Sequence, residues 1–247
     1  MPNWCDNSVT LFHMDKAKVS ALAEEMNRVD DKNNFIAEPF QHLRPRPADQ
    51  EENWYEWNLS NWGTKWDARI LDWSHDDENT VAIYFDSPWG PPIALYDYLT
   101  DEGWEVNALY HEPGMNFAGQ YNNGIDNYYE YDVSDPEFLD QLPGDVIEFA
   151  NLFDAHEEWI CQELQDNWTD AERSKWNKVG HKPEIEGWYE VTTKGWDYPH
   201  FVRFKDGEWD TWDPKTIVKW RGLAKNPEMS YEEQFDLIKK ELDNIRL

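Results

Sequence analysis

Between Ile70 and Glu172 the chain has no lysine and no arginine, a gap of 103 residues that holds 25 aspartates and glutamates. The formal charge of the whole is −29, and this window supplies −25 of it. Outside the window 22 bases nearly balance 26 acids. A negative field with no internal counter-charge repels nucleic acid and anionic membrane surfaces, and attracts the grooves in which other proteins hold phosphate backbones. Direct nucleic-acid or membrane binding is therefore not expected, and the expected partner is a basic protein.

Cysteine is scarce too. Cys5 and Cys161 form no CxxC pair, which excludes a disulfide framework and a cysteine-rich zinc site and points to a reducing cytoplasm. No apolar run approaches the roughly 18 residues of a spanning helix, and Met1 to Asn7 lacks the basic and apolar regions of a signal peptide. No GxGxxG, P-loop or GxSxG motif occurs. His156-Glu157-Glu158-Trp159-Ile160 begins like a zinc-protease HExxH, but Ile160 stands where the second histidine belongs. Asp76, Asp77 and Glu78 lack the glycine and final glutamate of a calcium loop. Cys5 with His13 matches no nucleophile-base signature. No catalytic residue, metal or cofactor is expected. Aromatic side chains, by contrast, are abundant: 16 Trp, 12 Tyr and 11 Phe within 40% apolar content, enough for real cores and unlike a disordered acidic tail.

The pattern predicts an α+β chain. Asn7–His13 is strand-prone, and Asp15 caps a helix over 15–29 with Val19, Leu22, Ala23 and Met26 on one stripe. Three prolines argue against regular structure over most of Phe35–Pro47. A Trp-rich helical insert follows at 53–66 with Gly63 as a break or cap, then strands at 68–73 and 80–85 joined by an Asp76–Asn79 turn. Pro91 and Pro92 open a helix that Gly103 ends, and strands follow at 104–110, 115–121 and 127–131, the last two joined through Asn122-Asn123-Gly124. Strand, helix, strand, strand, helix, strand is the order of a ferredoxin-like split βαβ domain, assigned to 1–132. Residues 133–180 read as an acidic helical segment, with Pro143-Gly144 as a break and Val146, Ala150, Phe153, Ile160, Leu164 and Trp168 on an inner stripe. Residues 181–247 read as a small antiparallel β module with Lys219-Trp220-Arg221 as its basic end and a final helix over 230–245.

Met1-Pro-Asn-Trp-Cys-Asp-Asn7, Trp62-Gly-Thr-Lys-Trp-Asp67 and Ser87-Pro-Trp-Gly-Pro-Pro92 resemble, in order and spacing, the YubB-type ferredoxin-like domain of phage and plasmid accessory proteins, over about residues 1–130. Gly187-Trp-Tyr and the stretch Val218 to Pro227 resemble a small Trp-rich module at the ends of phage-encoded proteins. These resemblances imply a mobile-element origin and a ferredoxin-like fold, and carry no reaction with them.

Two candidate sites emerge. Asp154, Glu158, Asp166 and Asp170 form a row at helical steps of four in which Gln162 fills the gap, with Glu163 beside it. Acids four residues apart on a helix are about 6 Å apart along its axis, close to two DNA phosphate steps of roughly 3.4 Å. Such a row costs the helix a few tenths of a kcal/mol per like-charged pair, so it does not serve the fold. The other candidate is Trp62, Lys65, Trp66 and Asp67, read either as a recognition pocket with indole walls and a Lys65–Asp67 polar pair, or as packing with a surface ion pair. The expected function is inhibition of a basic, nucleic-acid-binding host defence protein by acidic mimicry in the host cytoplasm. The alternative is an enzyme or nucleotide-signal binder using the Trp62–Asp67 pocket. Oligomeric state is left open, a homodimer included.

Overall fold

The computed structural model describes residues 3–156, 158–159, 176–178, 182–183, 187–196, 198–211 and 213–222, with Asp76 described in its backbone alone. The chain is α+β and forms two compact units, Met1–Leu152 and Phe153–Leu247. The first is built on a six-stranded antiparallel sheet. Its strands are β1 (Trp4–Phe12), β2 (Arg69–Asp77), β3 (Thr80–Pro88), β4 (Glu105–Glu112), β5 (Phe117–Asn122) and β6 (Ile125–Glu130), in the order β2-β3-β1-β4-β5-β6.

Alternation sorts these strands' side chains to two faces. Val9 and Leu11 on β1, Val81, Ile83 and Phe85 on β3, and Val106 and Ala108 on β4 join one core cluster. Helix α1 (Lys16–Met26) packs there through Val19, Leu22, Ala23 and Met26, the stripe read from its spacing, and the Asp15 carboxylate caps it by accepting from the Ala17 N–H at 2.9 Å. Helix α4 (Ile93–Asp101) adds Leu95, Tyr96 and Leu99. Asn123 and Gly124, both left-handed, turn β5 into β6 in two residues. The β2–β3 turn is likewise tighter than expected, because pairing runs on to Asp77 and Thr80.

Three departures have clear causes. Phe35–Pro47, expected to be irregular, contains α2 (Pro39–Leu43), because Pro39 occupies the first turn, where a missing N–H costs nothing. In the expected acidic segment, α5 (Pro136–Leu139) and α6 (Gly144–Ala150) are short, and Leu139, Leu142, Val146, Ala150 and Leu152 cluster with Ala118 and Leu109 on the sheet face opposite α1 and α4. Left-handed Asn151 then resets the helical phase, so Phe153, expected on the inner stripe, is 43% exposed. Ile160, Leu164 and Trp168 lie outside the described residues, as does the expected helix at 230–245.

The second unit contains β7 (Asn177–Lys178), β8 (Gly187–Thr193), β9 (His200–Lys205), β10 (Glu208–Asp210) and β11 (Ile217–Arg221), ordered β10-β9-β8-β11-β7. Asn177 and Lys178, inside the expected helical segment 133–180, are instead in a strand. Lys219-Trp220-Arg221, the basic end of the module, lies in β11 between β8 and β7, with a register shift between Ile217 and Lys219. Tyr189 sits at the centre of this core, edge-on to Trp209 at 5.9 Å and Trp220 at 5.2 Å.

Candidate functional site

The residues singled out around Trp62 separate into different environments. Helix α3 (Trp54–Asn61) ends at Trp62, and Gly63 at φ +88° turns the chain beside the first backbone N–H groups of α4, where a Cβ would stand 3.2 Å from Ile93 N and Ala94 N. Trp62 is 2% exposed, edge-on to Phe40 and Trp57 at 5.9 and 5.6 Å, and its Nε1–H donates to the Arg44 carbonyl at 3.0 Å. It is core, not a pocket wall. Asp67 does not pair with Lys65. Its carboxylate accepts from the Phe40, Gln41 and Ala68 N–H groups at 3.0, 2.8 and 2.8 Å, capping α2 from a distance. Burial pushes the Asp67 carboxyl up to about 7 in spite of these donors, and Glu38 adds to the rise. Lys65 and Trp66 face outward, with Lys65 Nζ 4.5 Å from the Trp66 ring centre and Trp66 40% exposed.

The described parts of the stretches 1–7, 62–67 and 87–92 meet near the start of α4. Asn7 Nδ2 donates to Ser87 Oγ at 2.8 Å, the Trp89 N–H donates to the Asn3 carbonyl at 2.9 Å, and the Leu95 N–H donates to the Trp62 carbonyl at 3.2 Å. Trp89 holds a left-handed φ of 72° and is 57% exposed.

A second constellation was not legible in the sequence, because its members come from four strands. Arg69, Asp86, Asp6 and His111 are successive cross-strand partners on the sheet face opposite α1. Arg69 forms an ion pair with Asp86 and stacks 4.6 Å from the Trp4 ring centre. Asp86 is buried, and its Oδ1 meets no N–H or O–H donor. Asp6, its cross-strand neighbour, supplies a donor when its carboxyl is protonated. Partial burial, then the Asp86 hydrogen bond and charge, push Asp6 up to about 6, against the pull of Arg69. His111 bonds the Tyr131 hydroxyl at 2.7 Å, and burial lowers its pKa.

Unfolded aspartates ionise near 3.8, so the folded chain holds these protons more tightly than the unfolded one. The stability contributed is complete below that value and is lost as pH rises through about 6 for Asp6 and about 7 for Asp67. The thermal midpoint is expected to be higher at pH 5 than at pH 8, and Asp6→Asn to shrink that difference. An unchanged pH dependence in the variant would remove the shared proton from the account.

Asp154 and Glu158 of the predicted row are helical and exposed. Glu163, Asp166 and Asp170 lie outside the described residues. Within the first unit, most acids of the cation-free window are also exposed, including Asp97, Asp101, Glu105, Asp126, Glu137, Asp145 and Glu148, whereas Asp86 and Glu112 are buried. The ion pairs between described residues that reach window acids are Lys16–Glu78 and Arg69–Asp86, both to cations outside the window.

Cys5 is buried, and burial raises its thiol well above the ordinary range. His13 lies just beyond the other end of β1, too far to act on it, and its Nδ1 accepts from the Asp15 N–H. Among the described residues, no three His, Cys, Asp or Glu side chains are grouped to hold a metal ion.

No family model matches the chain, and no curated protein matches it. A crystal structure of protein api92 from Yersinia pseudotuberculosis, described by family-model DUF1281, is similar over 38% of this chain and 39% of that one, at 22% identity and a TM-score of 0.29. Similarity at that level carries no functional argument.

Proposed function

We propose that this chain is a phage or plasmid accessory protein that binds and inhibits a basic, nucleic-acid-binding host protein without catalysis, presenting carboxylates where the partner grips phosphates. The carrying observation is the 103-residue window without a cation, whose described acids are mostly exposed, with Glu78 and Asp86 the ones that form ion pairs to other described residues. Exposed like charges repel one another and do not stabilise the fold, so their concentration needs a reason outside it. A cationic cleft supplies one, since charge complementarity raises association rate and selects the partner. The strand order β2-β3-β1-β4, with helices after β1 and β3, is compatible with the ferredoxin-like arrangement that the resemblance implies. No helix among the described residues is long and apolar enough to cross a membrane. The competing reading, a small-ligand or nucleotide pocket at Trp62–Asp67, is disfavoured by a buried indole and a carboxylate already satisfied by three backbone donors.

Capture from host lysate at low and high salt tests this reading. Basic nucleic-acid-binding proteins are expected to be retained at low salt and released as salt rises. Retention of neutral or acidic proteins, indifferent to salt, would contradict it.

A further inference from the structure

Helix α3 lies upstream of the cation-free window and presents an aromatic surface of its own. Tyr55 and Trp66 are 42% and 40% exposed, and Lys65 Nζ lies 5.7 and 4.5 Å from their ring centres, so one ammonium sits over both rings. Trp54, edge-on to Tyr55 at 5.8 Å, and Leu59, one turn beyond Tyr55, extend the exposed apolar area. Glu56 follows Tyr55 on the helix, and Glu51 and Glu52 precede it, all exposed. Lys65 forms no ion pair with a described residue.

We propose that the Tyr55–Trp66 surface is a docking site for an arginine of the basic partner, and that Lys65 occupies it in the free chain as an internal stand-in. This rests on the reading above that the partner is basic. The rings already hold an alkylammonium, which shows that a cation fits over them. A guanidinium is planar, more weakly hydrated and better suited to stacking than an ammonium, so an incoming arginine outcompetes Lys65. Glu51, Glu52 and Glu56, exposed and near Tyr55 in the chain, add negative charge to this region. Aromatic anchors beside charges are also where interface energy concentrates.

The test uses a hexa-arginine peptide and the full chain at low salt, with affinity read by calorimetry and the site by the Trp66 indole N–H resonance. Trp66→Ala and Tyr55→Ala, which leave charge unchanged, are each expected to weaken binding about threefold to tenfold. Lys65→Gln is expected to tighten it, and by more than Lys18→Gln, which removes the same charge at the far end of α4, where Lys18 Nζ is 3.5 Å from the Glu102 carbonyl. A gain of affinity cannot come from misfolding. Unchanged affinity in both aromatic variants, with equal effects of the two lysine changes, would overturn the docking site while leaving an acidic binder. Absence of any hexa-arginine binding by the parent chain would overturn the underlying reading as well.

Discussion

Trp62→Ala is expected to cost the first unit about 3–5 kcal/mol, seen as a lower denaturant midpoint at unchanged slope. The indole packs edge-on against Phe40 of α2 and Trp57 of α3, and its N–H donates to the Arg44 carbonyl, all of which the substitution removes. Nothing in the remaining structure can replace that volume. Trp66→Ala, four residues on, is expected to change stability by no more than about 0.5 kcal/mol, because its ring is 40% exposed. Had Trp62 been the wall of an open recess, the two substitutions would be alike in stability and would differ in ligand binding.

The second large effect concerns charge. Reversing Asp154 and Glu158 to lysine is expected to weaken partner binding about tenfold to a hundredfold at low salt, with the loss shrinking as salt rises. Both side chains are exposed, so the thermal midpoint should hardly move. Surface plasmon resonance at two ionic strengths, with circular dichroism as the control for folding, separates the two effects. Unchanged affinity would place this helix outside the interface.

Much of the first unit was legible because its signals are local. The stripe of α1, the proline-opened α4 and the Asn123-Gly124 turn each need only neighbouring residues, and each stands where the sequence places it. The misreadings arose where a local signal had two meanings. Proline stops a helix in its interior but starts one at Pro39. Gly63 ends the helix as read, but the grouping of Trp62 with Trp66 in one pocket fails, because past that break one ring lies inward and the other out. The Arg69–Asp86–Asp6–His111 row is illegible for another reason. Cross-strand neighbours are set by register, and no spacing within one strand reveals them. The acidic window, by contrast, is a property of composition and was visible at once.

The most direct test of the central claim is displacement. A labelled nucleic acid bound to the captured basic partner is titrated with this chain at low and high salt, and its fluorescence anisotropy is followed. The expected result is complete, competitive release at low salt, with an apparent affinity that falls steeply as salt rises. A ternary complex in which the nucleic acid stays bound, or release that is indifferent to salt, would contradict the claim that these carboxylates take the place of phosphates.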